Sequence, residues 1–399
     1  MTQTPKPDHS AVDHRSVVRR QALPRSVSTP VVNPICPSVV FSSPDADVLD
    51  AQYEGREAGF TYAREGHPNW IALAAKLDWL EGAEGGLVTG SGMAAVGAMF
   101  QAVVKAGDHV LAGDQLYGRS LRMLKEELPR WGVEVTFADP TDGAAFATAI
   151  RPETRLALVE VVSNPTLRVA DLPVIAGACK AHGVLLAVDN TFTTPRLYRP
   201  FENGADIVIH SVTKMLSGHS DVTLGYVAAR DRDLSARLRD VVITWGMTPS
   251  PFDCWLAERG LNTFDLRFDR AQENAGRLAD HLASLSRVES VFYPTRTDHP
   301  DHNRAEGLLP GGGTMVSFRL KGGRAELNRF LRAAEHLPFA PTLGDVATTL
   351  SHPATSSHRI LTAGQRAELG ITEGFVRVSV GIEEIGLLTR DFEEAIAAS

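Results

Sequence analysis

The prediction of the fold starts from one stretch, Asp206-Ile-Val-Ile-His-Ser-Val-Thr-Lys-Met-Leu-Ser-Gly-His219, in which a short apolar strand runs directly into polar residues and a lysine. A second apolar strand lies upstream, in Val184-Leu-Leu-Ala-Val-Asp-Asn190, and ends in a carboxylate. Because further short strands alternate with helical stretches nearby, we expect an α/β fold with a mostly parallel central sheet covered on both faces. Ligands in such folds bind beyond the carboxyl ends of the strands, where Asp189, Ser211 and Lys214 lie.

The residues at these strand ends suit an aldehyde cofactor that carries a phosphate. Lys214 can form a Schiff base with the aldehyde, while the hydroxyls of Ser211 and Thr213 bind the phosphate. Asp189 can pair with a protonated pyridine nitrogen. Taken singly, each residue also has an ordinary structural explanation, Lys214 as a solvated lysine and Ser211, Thr213 and Asp189 as caps of a helix or turn. Their coincidence predicts a site for pyridoxal 5′-phosphate (PLP), attached covalently to Lys214.

A glycine-rich loop, Thr89-Gly-Ser-Gly-Met-Ala-Ala95, joins a predicted strand to a predicted helix. Backbone N–H groups at a helix start attract a phosphate. An alternative is a dinucleotide fingerprint made by Gly90, Gly92 and Gly97, with Asp114 as the ribose contact. The third glycine comes two positions late for that pattern, so the nicotinamide alternative is weak and the loop becomes informative only beside Lys214.

Two further side chains are candidates for the substrate side of the site. Tyr117 follows a predicted strand, and its ring suits stacking on a pyridine while its phenol can act as acid or base. Arg377 lies between apolar residues of a predicted strand and suits a bidentate carboxylate such as that of an amino acid. The structural alternatives are a core position for Tyr117 and a buried ion pair for Arg377.

Histidine-containing loops elsewhere do not indicate a metal site. The segment Asp298-His-Pro-Asp-His302 has no matching ligand cluster after it, and Pro300 marks a loop. We expect this segment, and likewise His352 and His358, to be solvated.

The composition excludes several classes of protein. The chain has 399 residues, 43% of them hydrophobic, and a net charge of −8 with acids and bases intermixed, which argues against a nucleic-acid surface. No apolar run approaches the roughly 20 residues that span a bilayer, and the polar N-terminus lacks a signal-peptide pattern. The three cysteines, Cys36, Cys179 and Cys254, have no paired or metal-ligand spacing, so we expect a cytoplasmic protein.

The pattern changes twice along the chain and predicts three parts. Residues 1–65 are rich in proline, serine and arginine without a sustained period, which predicts an extended N-terminal arm. Residues 66–260 contain the alternating strands and helices and form the predicted large, cofactor-binding domain. In residues 261–399 the apolar pattern indicates a long amphipathic helix, separated strands and a closing helix, which predicts a smaller C-terminal α+β domain.

These motifs together resemble the Cys/Met-metabolism (trans-sulfuration) branch of PLP enzymes, from about Arg25 to the C-terminus. That family includes cystathionine γ-synthases, cystathionine γ- and β-lyases, methionine γ-lyases and O-acyl-homoserine sulfhydrylases. The resemblance is carried by segments that occur in the family's order: Tyr62-Ala-Arg64, Ser91-Gly-Met93, Leu116-Tyr-Gly118, Glu160 with Asn164-Pro-Thr166, Val188-Asp-Asn190, Ser211 to Asp221, Ser250-Pro-Phe-Asp253 with Arg259-Gly-Leu261, and Val376 to Glu383.

The resemblance implies PLP fold type I, as in aspartate aminotransferase, and a homotetramer built as a dimer of dimers. Tyr62 and Arg64 would reach the neighbouring subunit's cofactor phosphate, which would also contact Ser91, Gly92, Met93, Ser211 and Thr213. Asn164 would contact the hydroxyl side of the ring. Lys214 and Tyr117 would be catalytic, and Tyr117, Thr342 and Arg377 would contact the substrate.

The resemblance also implies the reaction. We expect elimination or replacement at Cγ of an amino acid such as an O-acyl-homoserine, cystathionine or methionine. The alternatives are a β-lyase that releases pyruvate and a PLP-binding protein without catalysis, and the intact set of site residues disfavours the latter.

Three positions depart from the family's pattern. His67 replaces an asparagine, Arg119 stands where methionine γ-lyases carry a cysteine, and Pro341 stands where lyases and synthases carry a specificity side chain. Arg119 disfavours methionine γ-lyase activity, and Pro341 disfavours recognition of a distal ammonium. Arg119 would instead suit an acidic or polar distal group.

Overall fold

The computed structural model describes residues 26–359 and 361–399. Residues Ile35–Ser399 form one compact unit, and the described residues before Ile35 belong to another. The first 25 residues of the predicted arm lie outside the described part of the chain.

The larger sheet has seven strands in the order β1-β7-β6-β5-β4-β2-β3. Five neighbouring strands, from β6 to β3, run parallel, and β7 is antiparallel to both β6 and β1. The strands are β1 Leu87–Thr89, β2 His109–Gly113, β3 Glu134–Ala138, β4 Thr154–Glu160, β5 Leu185–Asp189, β6 Ile207–His210 and β7 Gly225–Ala229. Strands β2, β6 and β7 are buried along their whole length. The predicted mostly parallel, covered sheet is therefore confirmed.

Helices connect these strands in the predicted alternation. Helix α3 (Gly92–Val103) has no charged residue in its sequence, and its apolar side chains pack against α8 (Arg232–Thr244) and β7, so the helix is held between α8 and the sheet. The helices of this part are α2 Pro68–Glu81, α3 Gly92–Val103, α4 Gly118–Arg122, α5 Gly143–Thr148, α6 Leu172–His182, α7 Thr194–Leu197, α8 Arg232–Thr244 and α9 Pro251–Leu261.

A smaller antiparallel sheet follows, in the order β10-β11-β9-β8. Its core contains three phenylalanines, with the ring of Phe318 5.8 Å from that of Phe330 and 6.2 Å from that of Phe392. The elements are α10 Phe264–Ser284, β8 Val288–Phe292, α11 His302–Leu308, β9 Met315–Leu320, α12 Arg324–Ala333, β10 Thr349–Ser351, α13 Ala363–Glu368, β11 Phe375–Ser379 and α14 Ile385–Ala397.

Two elements differ from what the sequence pattern predicts. The arm contains a helix, α1 Ala46–Tyr53, which starts because the side chain of Asp45 accepts a hydrogen bond from the backbone N–H of Val48 at 2.9 Å. The sequence pattern predicts one helix over Ser120–Trp131, but the structure divides this segment into α4, a π-helical turn and a short 3₁₀ helix that begins at Pro129, because proline has no N–H to continue the ladder.

Within the described residues, no helix is both long and apolar enough to cross a membrane. The three cysteines are all described, and each is free.

Candidate active site

A pocket of about 790 Å³ opens at the carboxyl ends of β4, β5 and β6. The start of α3 and the two loops around 341–343 and 355–359 complete its walls. Eleven residues predicted from the sequence line it: Ser91, Gly92, Met93, Tyr117, Asn164, Asp189, Ser211, Thr213, Lys214, Thr342 and Arg377. Two predicted residues, Tyr62 and Arg64, do not.

The pairing of β5 with β6 explains why two separated polar residues meet in the pocket. Asp189 lies opposite Ile209 in the parallel register, and side chains alternate between the two faces of a strand. Asp189 and Ile209 line the pocket, as do the residues two positions further along, Thr191 and Ser211. A hydrogen bond from the backbone N–H of Ser211 to Thr191 Oγ1, 2.9 Å long, ties the two strand ends together.

Lys214 is held in a tight turn just after β6. Its backbone N–H donates to the carbonyl of Ser211 at 3.1 Å, and its Nζ lies 3.5 Å from Oγ1 of Thr342. Partial burial, and then the nearby guanidinium of Arg377, lower the pKa of Lys214 from 10.5 to about 8. A larger share of this amine is therefore uncharged near neutral pH than is usual for lysine, which makes it a better nucleophile and base.

The loop that carries Thr342 is closely fitted to the lysine turn. Gly344 has a φ of +84°, and a Cβ there would lie 2.5 Å from the backbone nitrogen of Met215. The backbone N–H of Gly344 also donates to Oγ of Ser379 at 2.7 Å. Only glycine allows this close approach, which fixes the position of Thr342 relative to Lys214.

The carboxylate of Asp189 is prepared for a cation. Its Oδ1 accepts hydrogen bonds from the hydroxyl and the backbone N–H of Thr191, at 2.6 and 3.1 Å. Burial raises the pKa of Asp189, and the hydrogen bonds from Thr191 oppose that effect. A buried carboxylate of this kind is stabilised by a positive group, and a protonated pyridine nitrogen supplies one.

The start of α3 has the features of a phosphate cradle. Ser91 caps the helix by accepting from the N–H of Ala94 at 3.1 Å, and the next residue, Gly92, begins it. A Cβ on Gly92 would lie 2.9 Å from Cβ of Ser211, so the glycine lets the helix N-terminus lie against the end of β6. Free N–H groups at a helix start, beside the hydroxyl of Ser211, fit an anion.

Thr213 contributes less directly than the sequence suggests. Its hydroxyl donates to the carbonyl of Leu224 at 3.1 Å and accepts from the N–H of the same residue at 3.0 Å. To donate to a phosphate it must give up the first of these bonds.

Arg377 lies in the middle of β11 and is only 5% exposed. One terminal nitrogen donates to Oδ1 of Asn164 at 2.7 Å and the other to the carbonyl of Thr342 at 3.0 Å. Among the described residues, its Nε has no hydrogen-bond partner. Burial lowers the pKa of this guanidinium to about 10, and nearby Tyr117 and Glu160 oppose the shift. A buried N–H without a partner indicates a position for an acceptor from the substrate.

Glu160 is a pocket residue that was not predicted as part of the site. It ends β4 opposite Asp189, and its Oε1 accepts from the backbone N–H of Tyr117 at 2.7 Å. Burial and the charge of Asp189 raise the pKa of Glu160 well above its usual range. The signal that could have identified it is its place at a strand end, next to the strand that ends in Asp189.

Tyr62 and Arg64 lie apart from the pocket, on an exposed segment before α2. One guanidinium nitrogen of Arg64 donates to the carbonyl of Ile243 at 3.3 Å, and another lies 3.8 Å from Glu65. The guanidinium also lies 5.5 Å from the centre of the Tyr62 ring. Within one chain the structure therefore does not bring these two residues to the other candidates.

The structure explains one of the three departures from the family's pattern. His67 is buried and caps α2, since its Nδ1 accepts from the N–H of Trp70 at 3.1 Å while its Nε2 lies 3.2 Å from the carbonyl of Pro249. Burial lowers the pKa of His67, consistent with a neutral ring. The other two departures, Arg119 and Pro341, line the pocket.

The prediction that the remaining histidine segments are solvated is wrong. His299, His352 and His358 are each less than 5% exposed. In the first segment Asp301 is buried because it pairs with Arg168 at 2.6 Å, an interaction between distant parts of the chain that local sequence cannot indicate. Within the described residues no group of histidine, cysteine or acidic side chains has the arrangement of a metal site.

Comparison with known proteins agrees with this geometry. The sequence matches the family of Cys/Met metabolism PLP-dependent enzymes over residues 15–397. It is 40% identical to cystathionine β-lyase of Bacillus subtilis (strain 168), over 84% of this chain and 86% of the relative. It is 38% identical to L-methionine γ-lyase of Pseudomonas putida, over 92% of this chain and 93% of the relative.

A solved structure extends the agreement to the fold. Cystathionine γ-synthase of Xanthomonas oryzae pv. oryzae, in complex with aminoacrylate and cysteine, matches with a TM-score of 0.87 and 37% identity, over 92% of this chain and 93% of that one. The prediction of PLP fold type I is confirmed, as are PLP as the cofactor and an amino acid as the substrate. The chain belongs to the Cys/Met metabolism PLP-dependent enzymes.

Proposed function

We propose that this enzyme eliminates or replaces the substituent on Cγ of an amino acid, with PLP attached to Lys214. The observation that carries the proposal is that the pocket combines a lysine whose pKa is lowered to about 8 with the buried Arg377, whose Nε lacks a partner among the described residues. A lysine and an arginine in this arrangement suit an amino acid held by its carboxylate and attacked next to its amine.

The groups that would hold PLP are the phosphate cradle and the ring contacts. The phosphate would lie on Ser91, Gly92, Met93, Ser211 and Thr213, the ring nitrogen on Asp189, and the ring hydroxyl side on Asn164, with Tyr117 stacked on the ring. When bound, PLP supplies a ring that takes up the electrons left when a proton leaves the substrate.

Lys214 would move the protons of the reaction. The free Nζ of Lys214 would be the base that removes the Cα proton and, for chemistry at Cγ, a Cβ proton next. Thr342, 3.5 Å from that Nζ, would steady the amine between these two positions. The low pKa suits the task, because a base that works near neutral pH must be able to release its proton again.

Arg377 would bind the α-carboxylate of the substrate. Two of its nitrogens already bind Asn164 and Thr342, so the guanidinium has little freedom to move. The buried Nε would then be satisfied by a carboxylate oxygen, a charge-assisted bond that orients the amino acid.

Tyr117 would act as the acid for the leaving group. Its backbone is anchored by Glu160, while its side chain is 41% exposed at the pocket wall. A phenol in this position can both contact the substrate and exchange protons with water.

The leaving group would be acidic or polar. Three arginines, Arg119, Arg122 and Arg359, line the pocket and are exposed, and Arg122 pairs with Glu126 at 2.7 Å. The acidic side chains that line the pocket, Glu160 and Asp189, have oxygen atoms already bound to Tyr117 and Thr191. The surplus of positive charge favours an anionic or polar distal group over an ammonium.

A second candidate is β-elimination, because one relative is a cystathionine β-lyase at 40% identity. The two reactions share the removal of the Cα proton and differ in whether a Cβ proton is also moved.

The same proposal covers assembly, domains and location. A homotetramer of tight dimers would let Tyr62 and Arg64 of one subunit reach the phosphate of the next. Residues 1–65 would form the arm, 66–260 the cofactor domain and 261–399 the small domain. The three free cysteines fit a cytoplasmic enzyme.

The test is a product screen on purified, PLP-loaded enzyme with γ- and β-substituted amino acids, each with and without a thiol. A four-carbon 2-oxo acid supports γ-elimination, and a thioether supports γ-replacement. Pyruvate as the only product would overturn the proposal in favour of β-elimination. No product from any substrate, with cofactor bound, would indicate a PLP-binding protein without catalysis.

A further inference from the structure

A buried polar cluster lies on the reverse side of the central sheet from the pocket. Glu81, the last residue of α2, receives two hydrogen bonds on one oxygen: Oε1 accepts from Asn190 Nδ2 at 2.9 Å and makes a short contact with His210 Nε2. All three residues are at most 1% exposed. The amide of Asn190 also donates to the carbonyl of Tyr198 at 2.8 Å, which fixes its orientation.

The sheet places this cluster directly behind the proposed ring and phosphate contacts. Asn190 and His210 each follow a pocket-lining residue of β5 or β6, namely Asp189 and Ile209, and His210 precedes Ser211. Because side chains alternate between faces, the residues before and after them point to the pocket while they point to α2. The cluster therefore touches the same two strand ends that carry Asp189 and Ser211.

The cluster is polar and enclosed by the protein. A carboxylate this deeply buried is costly unless it has a polar partner, and His210, in contact with Glu81, is that partner. The remaining oxygen of Glu81 and Nδ1 of His210 have no hydrogen-bond partner among the described residues, so the pair depends on its mutual contact. Since replacing both with apolar groups would avoid this cost, the pair indicates a role beyond packing.

His210 directly follows Ile209, the residue that pairs with Asp189 in the sheet. Burial raises the pKa of Asp189, and His210 is among the groups that oppose this rise. The ring of Tyr226 on β7 lies 6.1 Å from that of His210, and the Tyr226 hydroxyl donates to Asp78 on α2 at 2.6 Å. Tyr226 and Asp78 bind each other, so Glu81 is the acidic side chain that contacts His210.

We propose that Glu81 and His210 form a positioning pair that holds Asp189 in place beneath the ring nitrogen of PLP, from the face of the sheet opposite to the cofactor. This inference rests on the proposed role of Asp189. The pair does not touch the cofactor or the substrate, so both residues act through Asp189.

The experiment compares Glu81→Gln, His210→Gln and the double variant with wild type, by titrating the absorbance of bound PLP against pH and measuring PLP affinity. A protonated ring nitrogen withdraws electrons and lowers the proton affinity of the conjugated linkage to Lys214. Weakening Asp189 should therefore move the titration midpoint upwards by about one pH unit, the size of shift that one nearby charge produces. The two changes should not add, because either one breaks the same pair.

The control is His109→Gln, which alters another buried histidine that binds two threonines, Thr136 and Thr154, at the start of β2 and does not line the pocket. It should leave the midpoint unchanged. Glu81→Gln keeps an oxygen for both donors, so it remains a test if His210→Gln does not fold. Midpoints of folded Glu81→Gln protein equal to wild type would overturn the inference. A wild-type protein that binds no PLP would instead contradict the proposed function.

Discussion

The pocket and the segment that carries Tyr62 and Arg64 are both candidate cofactor contacts, yet their side chains are held very differently. In the pocket, Asp189, Arg377 and the backbone of Tyr117 are fixed by hydrogen bonds of 2.6 to 3.0 Å. Arg64 has one bond of 3.3 Å and an exposed ion pair at 3.8 Å, which contributes little. One chain therefore preorganises most of the site but holds Arg64 only weakly, as the proposed contribution of Arg64 to a neighbouring subunit requires.

The largest expected effect comes from the pocket side of this comparison. Lys214→Ala should lower kcat by about 10⁴-fold, the upper end of what one positioned acid–base group contributes. The measurement is the initial rate of 2-oxo acid or thioether formation. Lys180→Ala, which removes an exposed lysine at the end of α6, is the matched control and should leave the rate unchanged. Comparable rates for wild type and Lys214→Ala would show that Lys214 is not a catalytic residue.

The second prediction concerns whether Arg64 binds the cofactor of its own chain or that of a neighbouring subunit. Arg64→Ala should weaken PLP affinity by about 10- to 100-fold, as expected when a hydrogen bond to a charged group is lost. The sharper experiment mixes Arg64→Ala with Lys214→Ala subunits after dissociation and reassembly. If Arg64 serves the neighbouring site, each mixed dimer regains one intact site, and about a quarter of the wild-type activity should return after random pairing.

The mixing experiment gives a different result if Arg64 contacts the cofactor of its own chain. If Arg64 serves its own chain, every site carries one defect in any mixture, and no activity should return. Arg56→Ala, an exposed arginine paired with Glu54 before the same segment, provides the control for general effects on the arm.

A third effect concerns the pH dependence of cofactor capture. The pKa of Lys214 is lowered from 10.5 to about 8, so the amine becomes reactive as the pH rises through 8 rather than 10.5. The rate at which cofactor-free protein takes up PLP should therefore increase with pH and level off above about pH 8. Stopped-flow absorbance measures it. A rate that still rises steadily between pH 9 and 10.5 would show that the pocket does not tune its lysine.

The smallest expected effect lies at the pocket mouth, where exposed charges resemble those of the Arg64 segment. Arg119→Met should lower kcat/KM for a substrate with an anionic distal group by about fivefold, since exposed charge pairs contribute up to about 1 kcal/mol. The value for a substrate with a neutral distal group should not change. A matched loss for both would assign Arg119 to the structure of the pocket instead.

The central sheet and most of the pocket could be predicted because they depend on local sequence. The strand ends at Asp189 and His210 are marked by apolar runs that stop at polar residues, and parallel strands bring such ends together. The sequence marks Glu160 as the end of a strand, but it does not show that this strand lies next to β5, so no role was predicted for Glu160. The burial of Asp301 and the contact of His67 with Pro249 were also missed, since both depend on partners more than 100 residues away.

The close fit between Gly344 and the turn that follows Lys214 limits how substrate preference can be altered. Substitution of Gly344 would push the 341–345 segment away from the amine of Lys214. By contrast, Pro341 lines the pocket and is exposed, three positions before Gly344. Directed libraries aimed at new leaving groups should therefore randomise position 341 and keep the glycine, so that diversity is introduced without disturbing proton transfer.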